Sequence, residues 1–302
     1  MKTITNSALL LICILSLMSC KDSFKNKVFL ENQEWIHGSE NCDTNHDPLI
    51  QIVQYNRNTW ILRQNKCVDY EAPFMFLFLG NNKAILFDTG ATKGDSLFPL
   101  YKKVIQLLLD ATGDQHLSIE LIVAHTHSHS DHIAADLQFI GKPNITVVGT
   151  KLSDLVNFFN IQNWPSTFGA YNLGNRNLQI IPVPGHEQTS IAIYDQQTGL
   201  LLTGDILYPG RLYVRDWVEF KHSVKRLAEF TNSHKISYIL GSHIEMSKNN
   251  GIDYPVGSTY HPEEQKLQLT VEDLQALNAE LEKTGDKPIK KIMNKFIIYP
   301  VN

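Results

Sequence analysis

The sequence has no excess of positive charge. Its 302 residues carry 27 Lys and Arg against 31 Asp and Glu, a formal net charge of −4. A nucleic-acid binder is usually basic with clustered Lys and Arg, so no nucleic-acid partner is expected. The balance is also too slight to mark an acidic tail or a steering field. Long apolar runs are equally scarce: beyond the first twenty residues none is long enough to cross a bilayer as a helix. Low-complexity tracts and short tandem repeats are absent, which argues against solenoid architectures. What remains is an ordinary globular composition, 43% hydrophobic and 19% charged, with enough apolar material for a core and a length that suits one large domain or two small ones.

The one apolar run that stands out is at the start. MKTITNSALLLICILSLMSC has Lys2 followed by apolar residues from Ala8 to Met18, too short for a stable span but the right length for a secretory core. It ends in Leu17-Met18-Ser19-Cys20, which resembles a bacterial lipoprotein signal, where a cysteine after a small residue is lipidated and becomes the new N-terminus. The alternative is a plain cleaved signal in which Cys20 is incidental. The expected organisation is a signal peptide at 1–19, a lipidated Cys20 with a polar tether at 20–47, and a folded domain at 48–302 that includes a C-terminal helix–strand extension at 249–302. The mature protein, with 26 basic and 31 acidic residues, would be exported and anchored to a lipid membrane of a bacterial cell envelope, periplasmic or on the outer surface. Cysteine is rare, four in all. Cys13 would leave with the signal and Cys20 would carry the lipid. Cys42 and Cys67 remain, an even pair in an oxidising compartment, and are read either as a disulfide or as two free thiols. Neither has zinc-site spacing.

Along the chain, IQIVQY and TWILRQ are β-rich and separated by Asn56-Arg57-Asn58, a hairpin signal. PFMFLFLG and GNNKAILFDTG form a second hairpin through Gly80-Asn81-Asn82. Apolar spacing predicts a helix from Ser96 to about Leu109 through Leu100, Val104, Leu107 and Leu108. IELIVAH reads as a buried strand, the segment after His132 as a helix, ITVVGT as a strand and KLSDLVNFF as a helix. The rhythm then repeats: strands at Leu178–Val183, Ser190–Tyr194 and Leu200–Thr203, a helix at Phe220–Phe230, the strand ISYILGSH, a capping box Thr270-x-x-Asp273 before DLQALNAEL, and a closing β-rich FIIYPV. Strands followed by helices appear twice, so two β-sheets packed face to face with helices outside are expected.

The chemistry concentrates in AHTHSHSDH, Ala124 to His132, which holds four of the chain's 12 histidines. A packed core would not ask for them, because each buried imidazole needs partners; a metal would. His127 and His129 lie two apart, on one side of extended backbone, and Asp131 and His132 add a carboxylate and an imidazole. Zn²⁺ takes such N and O ligands at about 2.0–2.2 Å. A register starting at His125 would need an aspartate where His129 stands, so His125 is read as a neighbour and not as a ligand.

The run His127-Ser128-His129-Ser130-Asp131-His132 resembles the first metal motif of the metallo-β-lactamase superfamily. The likeness continues in order: Phe87-Asp88-Thr89-Gly90, Pro184-Gly185-His186, Thr203-Gly204-Asp205 and Gly241-Ser242-His243, covering roughly Leu49 to His243. The resemblance implies an α/β fold, the αββα four-layer sandwich of two mixed sheets flanked by helices, with a metal cleft along one edge. It implies two zinc ions per chain, iron or manganese being alternatives. His127, His129 and His186 would hold one, Asp131, His132 and His243 the other, and Asp205 would bridge them. Asp88 matches a position that orients a ligand histidine, or else is a simple turn residue.

The implied activity is that of a metal-dependent hydrolase whose hydroxide attacks an ester, thioester or lactone carbonyl of a small molecule, with Asp131 orienting the nucleophile and shuttling its proton. No convincing nucleophilic Ser or Cys appears. Aspartate at 205, where dedicated β-lactamases of the superfamily place Cys or Ser, leaves at most weak β-lactamase activity, and His129 in place of a glutamate disfavours the redox di-iron relatives. The ligand set is similar to that of glyoxalase II and the lactonases, although export argues against glyoxalase II itself. Tyr208, three residues after Asp205, matches the lactonases' substrate-binding tyrosine and is read either as an oxyanion donor or as a packing aromatic. Arg211 and Arg215 are read as a substrate-carboxylate site or as surface ion pairs. Trp164, Phe168 and Tyr171 are read as a pocket wall or as a loop pinned to the core. The remaining alternatives are a phosphodiesterase and a catalytically inert metal-binding lipoprotein.

Overall fold

A computed structural model describes residues 30–301. The proposed signal peptide, Cys20 and the first part of the tether lie outside the described residues. Among the described residues no helix is long and apolar enough to cross a membrane.

The first sheet is built from β1 (Ile50–Asn56), β2 (Thr59–Gln64), β3 (Phe74–Leu79), β4 (Lys83–Phe87), β5 (Glu120–Ala124) and β6 (Ile145–Val147), paired in that order. Both expected hairpins are present, and β4, β5 and β6 run parallel. Helix α1 (Leu100–Thr112), the single turn α2 (Ser130–Ile133) and α3 (Leu152–Phe158) follow β4, β5 and β6 respectively. The second sheet contains β7 (Gly169–Asn172), β8 (Asn177–Pro182), β9 (Ile191–Asp195), β10 (Leu200–Gly204), β12 (Tyr238–Gly241) and β13 (Gln268–Leu269), in the order β13-β12-β10-β9-β8-β7. A small third sheet joins β11 (Arg211–Val214) to β15 (Ile297–Pro300) and β14 (Lys291–Ile292). Helices α4 (Trp217–Thr231) and α5 (Val271–Thr284) complete the chain.

Three apolar layers hold this together. Tyr55, Ile61, Phe76, Phe78, Ile85 and Phe87 of the first sheet face Ile180, Ile191, Ile193, Leu200 and Leu202 of the second. The other side of the first sheet, with Leu62, Leu77, Leu86 and Val123, packs on Leu100, Val104 and Leu108 of α1. The other side of the second, with Ile181, Ala192, Leu201 and Ile239, packs on Phe220, Val224, Leu274 and Leu277 of α4 and α5. Covered on both sides, β3 and β10 are buried throughout, and so read as continuous apolar runs without alternation. This is the expected αββα sandwich.

Several details differ from the sequence reading. Helix α1 starts at Leu100 and not at Ser96, because Pro99 disfavours helical backbone before it; it ends at Gly113, which is left-handed at φ 75° and donates its N–H to Leu109. The helix expected after His132 is one turn followed by a 3₁₀ turn, Asp136–Gln138. Its backbone is drawn instead to the Asp88–Gly90 turn, with Thr89 N–H donating to His132 and Ala134 N–H to Gly90. Strand β7 lies in the segment read as a loop around Trp164, Phe168 and Tyr171, and β11 is a strand that the sequence reading did not assign; it pairs with β15, more than eighty residues later. The Thr270–Asp273 capping box is present, and Cys42 and Cys67 are joined as a disulfide.

The C-terminal extension is tied to the first sheet by a buried ion pair. Arg63 on β2 donates twice to Glu264, at 2.6 and 2.7 Å. Burial alone would raise the Glu264 carboxyl, but Arg63, His261 and Lys66 outweigh it and hold the group at about 2. Its stabilising contribution is therefore complete above its ordinary value of 4.5 and lost as the pH falls towards 2. Glu264→Gln should lower stability at neutral pH by about 3–5 kcal/mol, the cost of breaking a buried pair. Thermal melts of wild type and variant should converge between pH 4.5 and 2; a gap independent of pH would show that Glu264 does not carry this ion pair's energy.

Candidate metal centre

Five strands deliver the motif residues to one edge of the sandwich. The segments leaving the C-terminal ends of β4, β5, β8, β10 and β12 carry Asp88, His127 to His132, His186, Asp205 and His243 respectively. Two glycines let the backbones come close enough. Gly185, at φ 132°, lies where a Cβ would stand 2.4 Å from Phe220 Cα, and Gly204, at φ 51°, faces Thr126, whose Cβ a new methyl would meet at 2.9 Å. Only glycine adopts such backbone without strain.

The structure brings all seven expected ligands together, as two groups that each fit one ion: His127, His129 and His186; and Asp131, His132, Asp205 and His243. In the first group His129 Nδ1 is 3.0 Å from both His127 Nε2 and His186 Nε2. In the second, Asp131 Oδ2 is 3.2 Å from His132 Nε2 and 3.3 Å from His243 Nε2. Asp205 faces both: Oδ2 is 3.5 Å from His186 and 3.8 Å from His127, while Oδ1 is 3.6 Å from His132 and 3.5 Å from His243. Ligand atoms about 2.0–2.2 Å from one tetrahedral ion stand about 3.3–3.6 Å apart, so the spacing fits. The buried Asp205 Oδ1 has no hydrogen-bond partner, an unusual condition for a carboxylate oxygen unless a cation meets it.

The imidazoles are oriented from behind. His132 Nδ1 meets Asp88 Oδ2 at 2.9 Å, His186 Nδ1 the Tyr213 carbonyl at 2.8 Å, and His243 Nδ1 the Glu71 carbonyl at 3.0 Å. Each acceptor fixes the proton on Nδ1 and turns the Nε2 lone pair inward. Asp88 is itself held by Thr126, whose N–H and hydroxyl donate at 2.7 and 2.8 Å. His125 stands apart, with Nε2 2.9 Å from Asp136 Oδ1.

Electrostatics divide the two groups. Burial pushes His127 well down and lowers His129 and His186, leaving neutral donors. Burial also opposes charge on His132 and His243, but Asp131 and Asp205 more than reverse it, raising His132 well above its usual value and His243 to about 9. Conversely, burial would raise Asp131 and Asp205, yet the neighbouring imidazoles hold both well below the carboxylate range. The second group therefore demands positive charge, which a divalent cation would supply in place of the protons.

A cleft of about 350 Å³ opens over the centre, lined by Glu71, Tyr208, Tyr213, Arg215, Glu245 and Val301 besides the ligands. Tyr208 is at the cleft, but its hydroxyl donates to the Arg211 carbonyl and its side chain is 1% exposed. Its one proton is thus turned to the protein and not towards a bound carbonyl, which is the packing alternative. Arg211 is neither a substrate group nor a surface residue: it is buried between Glu245 and Asp253. Arg215 is exposed at the cleft and makes no side-chain ion pair among the described residues. Trp164 and Tyr171 pack against the core, Tyr171 stacking on Phe158 at 5.1 Å, and Phe168 lies against Phe230; none lines the cleft. From the C-terminal extension only Val301 reaches it, while Tyr260 pairs with Gly38 and His261 with Glu264. Glu71 and Tyr213, which orient His243 and His186 through backbone carbonyls, were not singled out from the sequence; a carbonyl leaves no mark on residue type.

Asp88→Asn should keep the fold but weaken metal binding about 10- to 100-fold, because an amide cannot accept the His132 proton while also facing the two Thr126 donors in the same way. A chelator competition giving the wild-type affinity would remove Asp88 from this role.

The profile of the metallo-beta-lactamase superfamily matches residues 70–281. Over 204 residues the chain is 26% identical to the acyl-coenzyme A thioesterase MBLAC2 of Bos taurus, covering 56% of this chain and 72% of that one. It is 28% identical over 193 residues to the hydroxyacylglutathione hydrolase of Gloeothece citriformis, covering 60% and 72%. Among solved structures, the metallo-beta-lactamase FIM-1 of Pseudomonas aeruginosa, in its mono-zinc form, superposes with a TM-score of 0.55 at 15% identity, covering 80% of this chain and 99% of that one, which is a likeness of fold. The profile match together with the assembled His and Asp centre shows that this chain belongs to the metallo-beta-lactamase superfamily of metal-dependent hydrolases.

Proposed function

We propose that the protein is an exported, dinuclear zinc hydrolase of small acyl substrates, with a thioester or ester carbonyl as the bond attacked. The observation that carries this reading is Asp205, whose two oxygens face two complete ligand groups. Two zinc ions so held would supply a hydroxide near neutral pH and polarise a carbonyl oxygen. The chain's own residues do the rest. Asp205, with its side chain 8% exposed, would hold both ions; Asp131, at 21% exposed and lining the cleft, is the carboxylate that water and substrate would reach and is placed to accept a proton. Arg215 offers an unpaired guanidinium to an anionic group on the substrate. The two curated relatives are named for thioesters whose coenzyme A and glutathione portions are anionic, which supports that substrate class.

Purified protein should contain about two zinc per chain, and Asp205→Ala should lose metal and reduce turnover by more than about 100-fold. On a panel of lactone, β-lactam, phosphodiester, neutral thioester and anionic thioester substrates, the last should be cleaved best. Arg215→Ala should raise KM for it by roughly tenfold, with kcat little changed, as loss of a charge-assisted hydrogen bond would. Bound metal without turnover on any class would leave an inert metal-binding protein instead.

Export and anchoring through Cys20 belong to the same proposal. The Cys42–Cys67 disulfide supports it, because such bonds persist in oxidising compartments. Labelled palmitate should enter the wild-type protein in a bacterial host and not Cys20→Ser; equal labelling would rule the anchor out.

A further inference from the structure

We infer that the Cys42–Cys67 disulfide and the buried Lys66 are positioning residues for His243, and so set the metal affinity of the Asp131–His132–His243 half of the centre without touching the other half.

The two halves are oriented by different parts of the protein. His186, in the three-histidine group, is held by the Tyr213 carbonyl on β11, inside a sheet. His243 is held by the Glu71 carbonyl, on the loop between β2 and β3, residues 65–73. The loop is hydrogen-bonded at its two ends, where Asn65 N–H donates to the Leu49 carbonyl, Gln64 N–H to the Pro73 carbonyl and Phe74 N–H to the Ser242 carbonyl, while residues 66–72 between them belong to no strand. Inside it, Asp69 accepts the Glu71 N–H, and Ala72 is bent to φ 43°. Between those ends two adjacent residues tie the loop to distant parts of the chain, Cys67 by a covalent bond and Lys66 by its charge.

Cys67 is bonded to Cys42. Lys66, 2% exposed, donates its ammonium to the Tyr70 carbonyl at 3.2 Å, the residue just before Glu71, and lies 3.9 Å from Glu264. The segment carrying Cys42 is itself laced to the C-terminal extension: Ser39 N–H donates to Thr259, His261 N–H to His37, and Gly38 pairs with Tyr260. Gly38 leaves space for this contact, since a Cβ there would sit 1.9 Å from the Thr259 carbonyl oxygen and 2.8 Å from Lys66 Cβ. Asn65 completes the knot by donating to Asn45 at 2.9 Å and to the Pro48 carbonyl at 3.1 Å. The path from the knot to the metal is short: Cys67 and Lys66 to Tyr70 and Glu71, then His243 Nδ1. An acceptor that drifts lets the imidazole rotate and its Nε2 lone pair leave the ion.

This inference rests on the two-metal reading, and the experiment separates the two. Zinc would be titrated against a competing chelator in wild type and in Cys42→Ser/Cys67→Ser, with ¹¹³Cd NMR of the cadmium-loaded proteins to assign each ion by its ligands. Wild type should show two ions. The double variant should bind one of them about 10- to 100-fold more weakly, with only the resonance of the Asp-containing site shifted or broadened. Lys66→Met, which keeps the disulfide and removes the donor to Tyr70, should weaken the same ion, and it serves if the serine variant fails to fold. Both variants holding both ions as wild type does, or losing both equally, would overturn the positioning role. A wild type that binds a single ion would instead refute the two-metal reading, and the inference with it.

Discussion

Asp205 is buried, held in its charged form by the imidazoles around it and incompletely satisfied, and the donor groups at this edge of the sandwich are arranged around its two oxygens. The carboxylate emerges from the second sheet, while His127, His129, Asp131 and His132 come from the first. A cation held between these donor groups would join the two sheets at this edge. The backbone contact that keeps this edge in register lies just behind, where Ile191 N–H of β9 donates to the Thr126 carbonyl. Thr126 also donates twice to Asp88, so one residue ties the sheets together and fixes the orientation of His132. The left-handed backbone at Asp88, φ 69°, is a strained conformation that these hydrogen bonds offset.

What was legible in the sequence is what residue type encodes. Histidine and aspartate at fixed offsets after apolar runs marked all seven residues that the structure gathers into two groups able to hold a metal, because a metal selects donors by chemistry and a strand end selects them by period. The two main sheets were visible because β1 to β5 and β8 to β10 are apolar and bounded by turns. The rest depended on contacts between distant parts of the chain. Strand β11 has no strand signal of its own, and its partner β15 lies more than eighty residues later. The helix after His132 was shortened by hydrogen bonds to the Asp88–Gly90 turn. Tyr208 shows the limit most clearly: its offset from Asp205 fits a substrate donor, but the direction of its hydroxyl is set by the Arg211 carbonyl three residues on, and no spacing rule carries that direction.

The cleft's charges also bear on which bond is attacked. Its acidic residues besides the ligands are Glu71 and Glu245, and Glu245 is neutralised by Arg211 at 2.9 Å. Arg215 therefore stands as the single free cation among the cleft-lining residues, with Glu71 as its counterpart. Arg215 lines the same cleft as His129 and His186 of the three-histidine group. Glu71 lines the cleft as well, and its backbone carbonyl holds His243. A polyphosphate or nucleic-acid backbone crossing the site would need cations along its whole length and would meet a carboxylate at one end. An acyl compound with one anionic group beside its carbonyl needs only what Arg215 provides, and its other end can be neutral. The donor groups alone would serve either bond; the cleft's charge distribution is what supports the proposed acyl substrate over a phosphodiester.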